Sequence, residues 1–151
     1  MAFRPRSRIS ILGASAVAVS GPADTSENIL ATITIPAGAM GLNGYLRYYT
    51  VYTCTSNANA KTLRVRLGGI GGTVLEATSA ASTSFNTQFM MVQNRNSATS
   101  QYIAYIGNSL SIPGTQTAAV NTAAAQDVVL TVQKATAGDT ITLESYLVEL
   151  I

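Results

Sequence analysis

Lys61 to Gly68, KTLRVRLG, reads with a period of two: Leu63, Val65 and Leu67 fall on one side, Arg64 and Arg66 on the other. That alternation marks a β-strand with one buried and one wet face. A slip of one residue would bury both arginines, so the register is specified. The same period runs through NILATITI, where Ile29, Ala31, Ile33 and Ile35 share a face, and through QYIAYIG, DVVLTVQK and TITLESYLVEL. Thr, Val, Ile and Tyr, which dominate these runs, are the residues that pleated surfaces favour.

Turn clusters separate the runs: IPAGAMGLNG, TSNANA, GGIGG, TSAASTS, NRNSATS, GNSLSIPG and KATAGD. Short strands at such intervals predict an all-β fold, a single antiparallel β-sandwich of jelly-roll type with about eight strands from Asn28 onward. The one helix-permissive segment, AAVNTAAAQD (118–127), fits a single turn or a small-residue strand. In TIPAGAMGLNGYLRYYTVYT (34–53), Pro36 ends a strand and the glycines allow a tight corner, so the chain is expected to cross there between sheets. GGIGG (68–72) lacks the following helix and lysine of a phosphate loop; TVLEAT comes next, so a hairpin turn with positive φ is expected.

The first 27 residues differ. FRPRSR places Arg4, Arg6 and Arg8 in one short stretch, a third of the 9 Lys and Arg in the chain. Ile9, Ile11 and Leu12 follow, then small residues and a Gly21-Pro22 break. The segment is too short for a domain and is expected to be an extended arm (1–27) ahead of the sandwich (28–151). Its arginines would meet carboxylates or carbonyls of a partner, its apolar residues a groove, and its main chain a sheet edge. The alternative is an arm packed on its own domain as an edge strand.

At 151 residues the chain fits one domain that buries roughly 70% of its unfolded surface. Hydrophobic residues make up 47% and charged ones 11%, against about a quarter in ordinary soluble domains. Ser, Thr, Asn and Gln must carry the polar surface, which suits a protein seated among partners. A net charge of +2 gives no general field for polyanions, and three arm arginines could neutralise only a few phosphates, so no specific nucleic acid partner is expected. No run approaches the ~18 apolar residues of a membrane span. ILGASAVAV is broken by Gly13 and Ser15 and is short for a secretory signal. Cys54 stands alone, so no internal disulfide forms, and synthesis in a reducing cytoplasm is the simpler reading.

The absence of histidine removes the commonest general base, metal ligand and nucleophile activator at once. Cys54, in VYTCT, has no base beside it and reads as a small packed hydrophobe. The seven carboxylates are Asp24, Glu27, Glu76, Asp127, Asp139, Glu144 and Glu149. Glu144 and Glu149 have opposite parity on one strand and should face opposite ways. Asp139 is explained by its turn, and solvated or turn-forming roles are expected for all seven. No catalytic residue, metal or cofactor follows. Tyr48 and Tyr52 share parity with Leu46 and belong to the core; Tyr45 and Tyr49 share parity with Arg47 and suit a subunit interface. Stacking of a sugar on those two tyrosines is the rival reading.

Taken in order, IPAGAMGLNGYLRYYTVYTCTSNANAKTLRVRLGG, VQNRNSATSQ and ATAGDTITLESYLVEL resemble a β-sandwich domain of structural proteins in tailed bacteriophage virions. The resemblance spans about Thr25 to Ile151 and rests on motifs that mark fold, with no active site to transfer. It implies a virion part. The leading expectation is a head decoration or cement protein, made in the host cytoplasm, that forms a homotrimer and binds the major capsid protein. The alternative is a tail, neck or fibre-tip adaptor or receptor-binding component, with a carbohydrate-binding module behind it.

Overall fold

The alternation read from the sequence builds two antiparallel sheets stacked face to face. The computed structural model describes residues 9–105 and 116–151. Among them run eleven strands and no helix: β1 (Ser10–Ser15), β2 (Val19–Ser20), β3 (Asn28–Ile35), β4 (Tyr45–Cys54), β5 (Lys61–Leu67), β6 (Thr73–Ser79), β7 (Phe85–Asn94), β8 (Gln101–Tyr105), β9 (Gln116–Ala118), β10 (Gln126–Lys134) and β11 (Ile141–Leu150). The larger sheet has the order β1-β11-β4-β7-β8-β9, with β2 also on β11; the smaller is β3-β10-β5-β6.

The antiparallel pairs nest. β1 lies on β11, β3 on β10, β4 on β7 and β5 on β6. A chain paired from outside to inside in this way is one long hairpin rolled over on itself, the topology of a jelly roll. Nine strands, β3 to β11, run from Asn28 onward, against about eight expected, and the eight that nest also draw on the chain before Asn28. β1 is the first of them, while β8 and β9 extend the larger sheet beyond the eight.

Residues 10–20 are therefore not a free arm. Ser10–Ser15 and Val19–Ser20 add to the sheet through β11, which is the edge-strand alternative. Three contacts explain why. Their main chain bonds to β11, partly buried Leu12 packs on the core, and Gly13 sits so close to Ile33 that an added Cβ would lie 3.0 Å from its Cγ1. Arg4, Arg6 and Arg8 lie outside the described residues.

Leu63, Val65 and Leu67 are fully buried with Leu46, Tyr48, Tyr52 and Leu130, as the period predicts. Arg64 and Arg66 take the outer face. NILATITI departs from its pattern. Thr131 pairs with Ile29 while Leu130 pairs with Ala31, so Leu30 is an extra residue in a bulge. A bulge reverses the parity of what precedes it, so Leu30 packs on the core and Ile29, expected inside, is exposed.

The glycine corner links β3 in the smaller sheet to β4 in the larger, as expected. Gly38 and Gly41 hold φ of 69° and 62°, which a side chain would strain. Gly38 N–H donates to the Thr122 carbonyl at 3.0 Å, and the Asn94 side chain donates to Gly41 O and Thr122 Oγ1. Gly68 and Gly69 supply the positive φ of the β5–β6 hairpin. The 118–127 segment ends β9 and then turns.

The carboxylates do not all behave as expected. Glu76 faces the interior of the sandwich, where Tyr48 OH donates to its Oε2 at 3.1 Å, and burial pushes its pKa up from 4.5. The Leu75 bulge in β6 puts two consecutive residues inside. Glu144 is itself a bulge residue, skipped between Leu143 and Ser145. The extra residue restores its parity with Glu149. Glu144 accepts a hydrogen bond from Thr53 and Glu149 pairs with Arg47, both on the outer side of β4. Six residue steps along β4, from Arg47 to Thr53, or about 20 Å of strand, separate the two, so they do not converge.

Candidate assembly interface

β4 is central in the larger sheet, and its parity divides it cleanly. Leu46, Tyr48, Thr50 and Tyr52 are buried, whereas Tyr45, Arg47, Tyr49, Val51 and Thr53 face outward. Their register partners continue that outer face. Tyr49 lies between Phe89 of β7 and Leu147 of β11, Arg47 between Met91 and Glu149, and Val51 between Thr87 and Ser145. Phe85, opposite Thr53, is 59% exposed and Tyr49 is 42% exposed.

Tyr49 and Phe89 meet edge to face with centroids 6.2 Å apart and planes at 71°, an arrangement aromatic quadrupoles favour. With Arg47, Leu147 and Glu149 they line a depression of about 320 Å³. Arg47 and Glu149 are ion-paired across the two strands at its end. Further along, the Arg95 guanidinium lies 3.8 Å from the centre of the Tyr102 ring, a cation–π contact on the same sheet. Every formal charge at this depression is matched, and what it offers a neighbour is apolar and aromatic.

The opposite surface is built differently. On the smaller sheet's outer face Arg66 donates from Nε and from its terminal nitrogen to the two oxygens of Glu27, each at 2.8 Å. Arg64 lies 3.5 Å from the same carboxylate and also donates to Gln133. The hydrogen bonds from Arg66 hold the Glu27 carboxyl down at about 2. Thr34 donates to Asp127 beside them. Both faces carry an ion pair, and the larger sheet's adds exposed aromatic rings.

Of the residues singled out from sequence, Tyr45 and Tyr49 fall on the aromatic face. Ile9 and Ile11 are exposed at the β1 edge, with Ile11 beside Glu149 in register, while Leu12 is turned into the core. Phe85 and Phe89 were missed, although FNTQFMMVQN carries the same alternation that placed the tyrosines. Cys54 is a partly buried strand end packed on the core, its thiol pushed up by burial. Among the described residues no three His, Cys, Asp or Glu side chains gather as metal ligands.

No protein-family model matches this chain, and no curated protein does. Among solved structures it is similar to the VP2 subviral particle of infectious bursal disease virus, at 12% identity and a TM-score of 0.44 over 100% of this chain and 37% of that one. It is similar to the alginate lyase of Alteromonas sp.272, at 9% identity and 0.44, over 95% of this chain and 94% of the lyase. It is also similar to the CBM2 module of an evolved Dit from Lactobacillus casei BL23 phage J-1, at 11% and 0.39, over 78% and 67%. The chain spans little more than a third of the VP2 chain. These values amount to a general likeness among β-sandwiches.

Proposed function

We propose that this chain is a non-enzymatic structural protein of a tailed-phage virion, a decoration or cement protein that binds and stabilises the head shell. It associates as a homotrimer and with the major capsid protein, and the aromatic outer face of the larger sheet makes those contacts. The observation that carries the reading is the asymmetry of the sandwich. One outer face carries the Glu27–Arg66 pair, while the other leaves Tyr49 and Phe85 exposed beside a half-buried Phe89. Interfaces are enriched in aromatic residues and depleted of free charge at their centres. The sequence resemblance to phage structural domains supports the placement on a virion, and the absence of histidine argues against catalysis.

The test is Tyr49→Glu combined with Phe89→Glu, assayed for fold by circular dichroism, for mass in solution by light scattering, and for binding to heads that lack this protein. A folded monomer with at least a tenfold loss of binding is expected. Unchanged assembly and binding overturn the reading. Two other readings are separated by the same protein. The aromatic-walled depression would also suit a sugar ring, which predicts glycan binding by the isolated domain, lost with Tyr49. A tail, neck or fibre-tip position predicts density for this chain there, and none on the head, in electron micrographs of the particle.

A further inference from the structure

Two loops far apart in sequence, 55–60 and 135–140, close one end of the sandwich around four side chains, those of Asn57, Asn59, Lys61 and Asp139. Lys61 opens β5 with its side chain 0% exposed, and the Asp139 side chain is 6% exposed. Lys61 Nζ donates to Asn57 Oδ1 at 2.7 Å and to the Asn59 carbonyl at 3.0 Å. Asp139 Oδ1 accepts from Asn57 Nδ2 at 2.7 Å, and its Oδ2 accepts from Asn59 Nδ2 at 3.0 Å and lies 3.6 Å from Lys61 Nζ. The backbone N–H of Asn59 donates to Asn57 Oδ1 at 3.1 Å. A second buried lysine, Lys134, uses only carbonyls, those of Pro22, Ala137 and Asp139. The Asp139 carboxylate is thus left to Lys61 and the two asparagines.

An amine and a carboxamide in contact, with one carboxylate hydrogen-bonded to the amide nitrogen and 3.6 Å from the amine, have the parts for amide exchange. We propose that Lys61 and Asn57 form a spontaneous isopeptide bond, with Asp139 as the proton carrier. Asp139 takes a proton from the Lys61 ammonium, and the freed amine attacks Asn57 Cγ. Oδ1 gains negative charge where the Asn59 N–H already points, a one-donor oxyanion site. Asp139 passes the first proton to Nδ2 and takes the second from Nζ; the Cγ–Nδ2 bond breaks, and ammonia leaves with that second proton as ammonium while Cγ–Nζ remains. One ammonium side chain and one carboxamide give one secondary amide and one ammonium ion, with no change of oxidation state. Fixed proximity replaces the activation such a step needs in solution. The product ties the TSNANAK loop to the first residue of β5.

The experiment uses the full-length purified protein, aged at neutral pH and measured by intact mass spectrometry, then digested with trypsin. The expected result is a mass lower by one ammonia, with the loss mapped to a peptide that joins Asn57 to Lys61. Trypsin should not cleave after Lys61, because the acylated Nζ is no longer a cation. Lys61→Arg and Asp139→Asn should retain the full mass. Full mass with normal cleavage after Lys61 in the aged wild type overturns the proposal, without reference to whether the variants fold. Loss of one water mapped to Lys61 and Asp139 overturns the assignment of Asn57 as the acyl donor.

Discussion

Arg66 grips Glu27 with two parallel hydrogen bonds of 2.8 Å, Nε to Oε1 and a terminal nitrogen to Oε2. Glu27 lies in the segment leading into β3 and Arg66 in β5, on either side of β10, so the pair straps three parts of the smaller sheet together. A forked pair of this kind holds geometry better than a single contact between a lysine and a carboxylate.

The pair sets a pH dependence. Glu27 has a folded pKa of about 2 against 4.5 unperturbed, so it binds protons less readily folded than unfolded. Its stabilisation is fully present above pH 4.5 and is lost as pH falls towards 2. Arg66→Ala should cost about 1 kcal/mol at neutral pH, after allowance for solvent screening. The difference between variant and wild type should shrink across that acidic window in urea titrations at a series of pH values.

Glu76 acts with the opposite sign. Its folded pKa is raised by burial, so the folded state binds the proton more readily and stability falls as pH rises through and above 4.5. Glu76→Gln keeps the shape and an acceptor for Tyr48 OH without the buried charge. At neutral pH it should raise Tm by a few degrees, corresponding to about 1 kcal/mol, and the gain should vanish below pH 4.5. Differential scanning calorimetry at two pH values checks this.

Val65 is fully buried at the centre of β5. Val65→Ala should cost roughly 1–3 kcal/mol through lost burial and the space left behind. Chemical denaturation with an unchanged m-value would assign the loss to packing.

Two truncations separate the roles of the first fifteen residues. Removing 2–15 deletes β1 and bares the edge of β11, so the domain should lose cooperative unfolding or aggregate. Removing 2–8 leaves β1 intact and should preserve Tm. If Arg4, Arg6 and Arg8 contact a partner, as their clustering in the sequence leads us to expect, this shorter truncation should weaken particle binding; unchanged binding would reject that role.

Parity carried most of what the sequence disclosed. It placed Leu63, Val65 and Leu67 inside and Tyr49 outside, because a strand without interruption cannot do otherwise. Lys61 shares the parity of Leu63 and is buried with it, an uncommon place for a lysine. The failures cluster at bulges. Leu30, Glu144 and Leu75 each add one residue to a strand without any change of composition, so Ile29 and Glu144 came out on the wrong face. β1 was read as an arm because SILGAS is short and mixes small with apolar residues; its strand conformation is conferred by β11, a partner more than a hundred residues away. The aromatic face required two strands to be brought side by side, and register across strands is not written in either alone.

The nested pairing also fixes an order of completion. The β5–β6 hairpin closes over a handful of residues, and each surrounding pair closes over more, ending with β1 on β11. Wide loops close slowly, and the first strand of the roll must wait until nearly the last has been synthesised. Once made, β11 presents an unpaired edge on one side until β1 docks. The slot accepts any chain with the sequence of β1, including that of a neighbouring copy on the same polysome. Crowded synthesis therefore favours exchange of this strand between molecules, and the fidelity of the fold at high expression depends on how fast each chain docks its own.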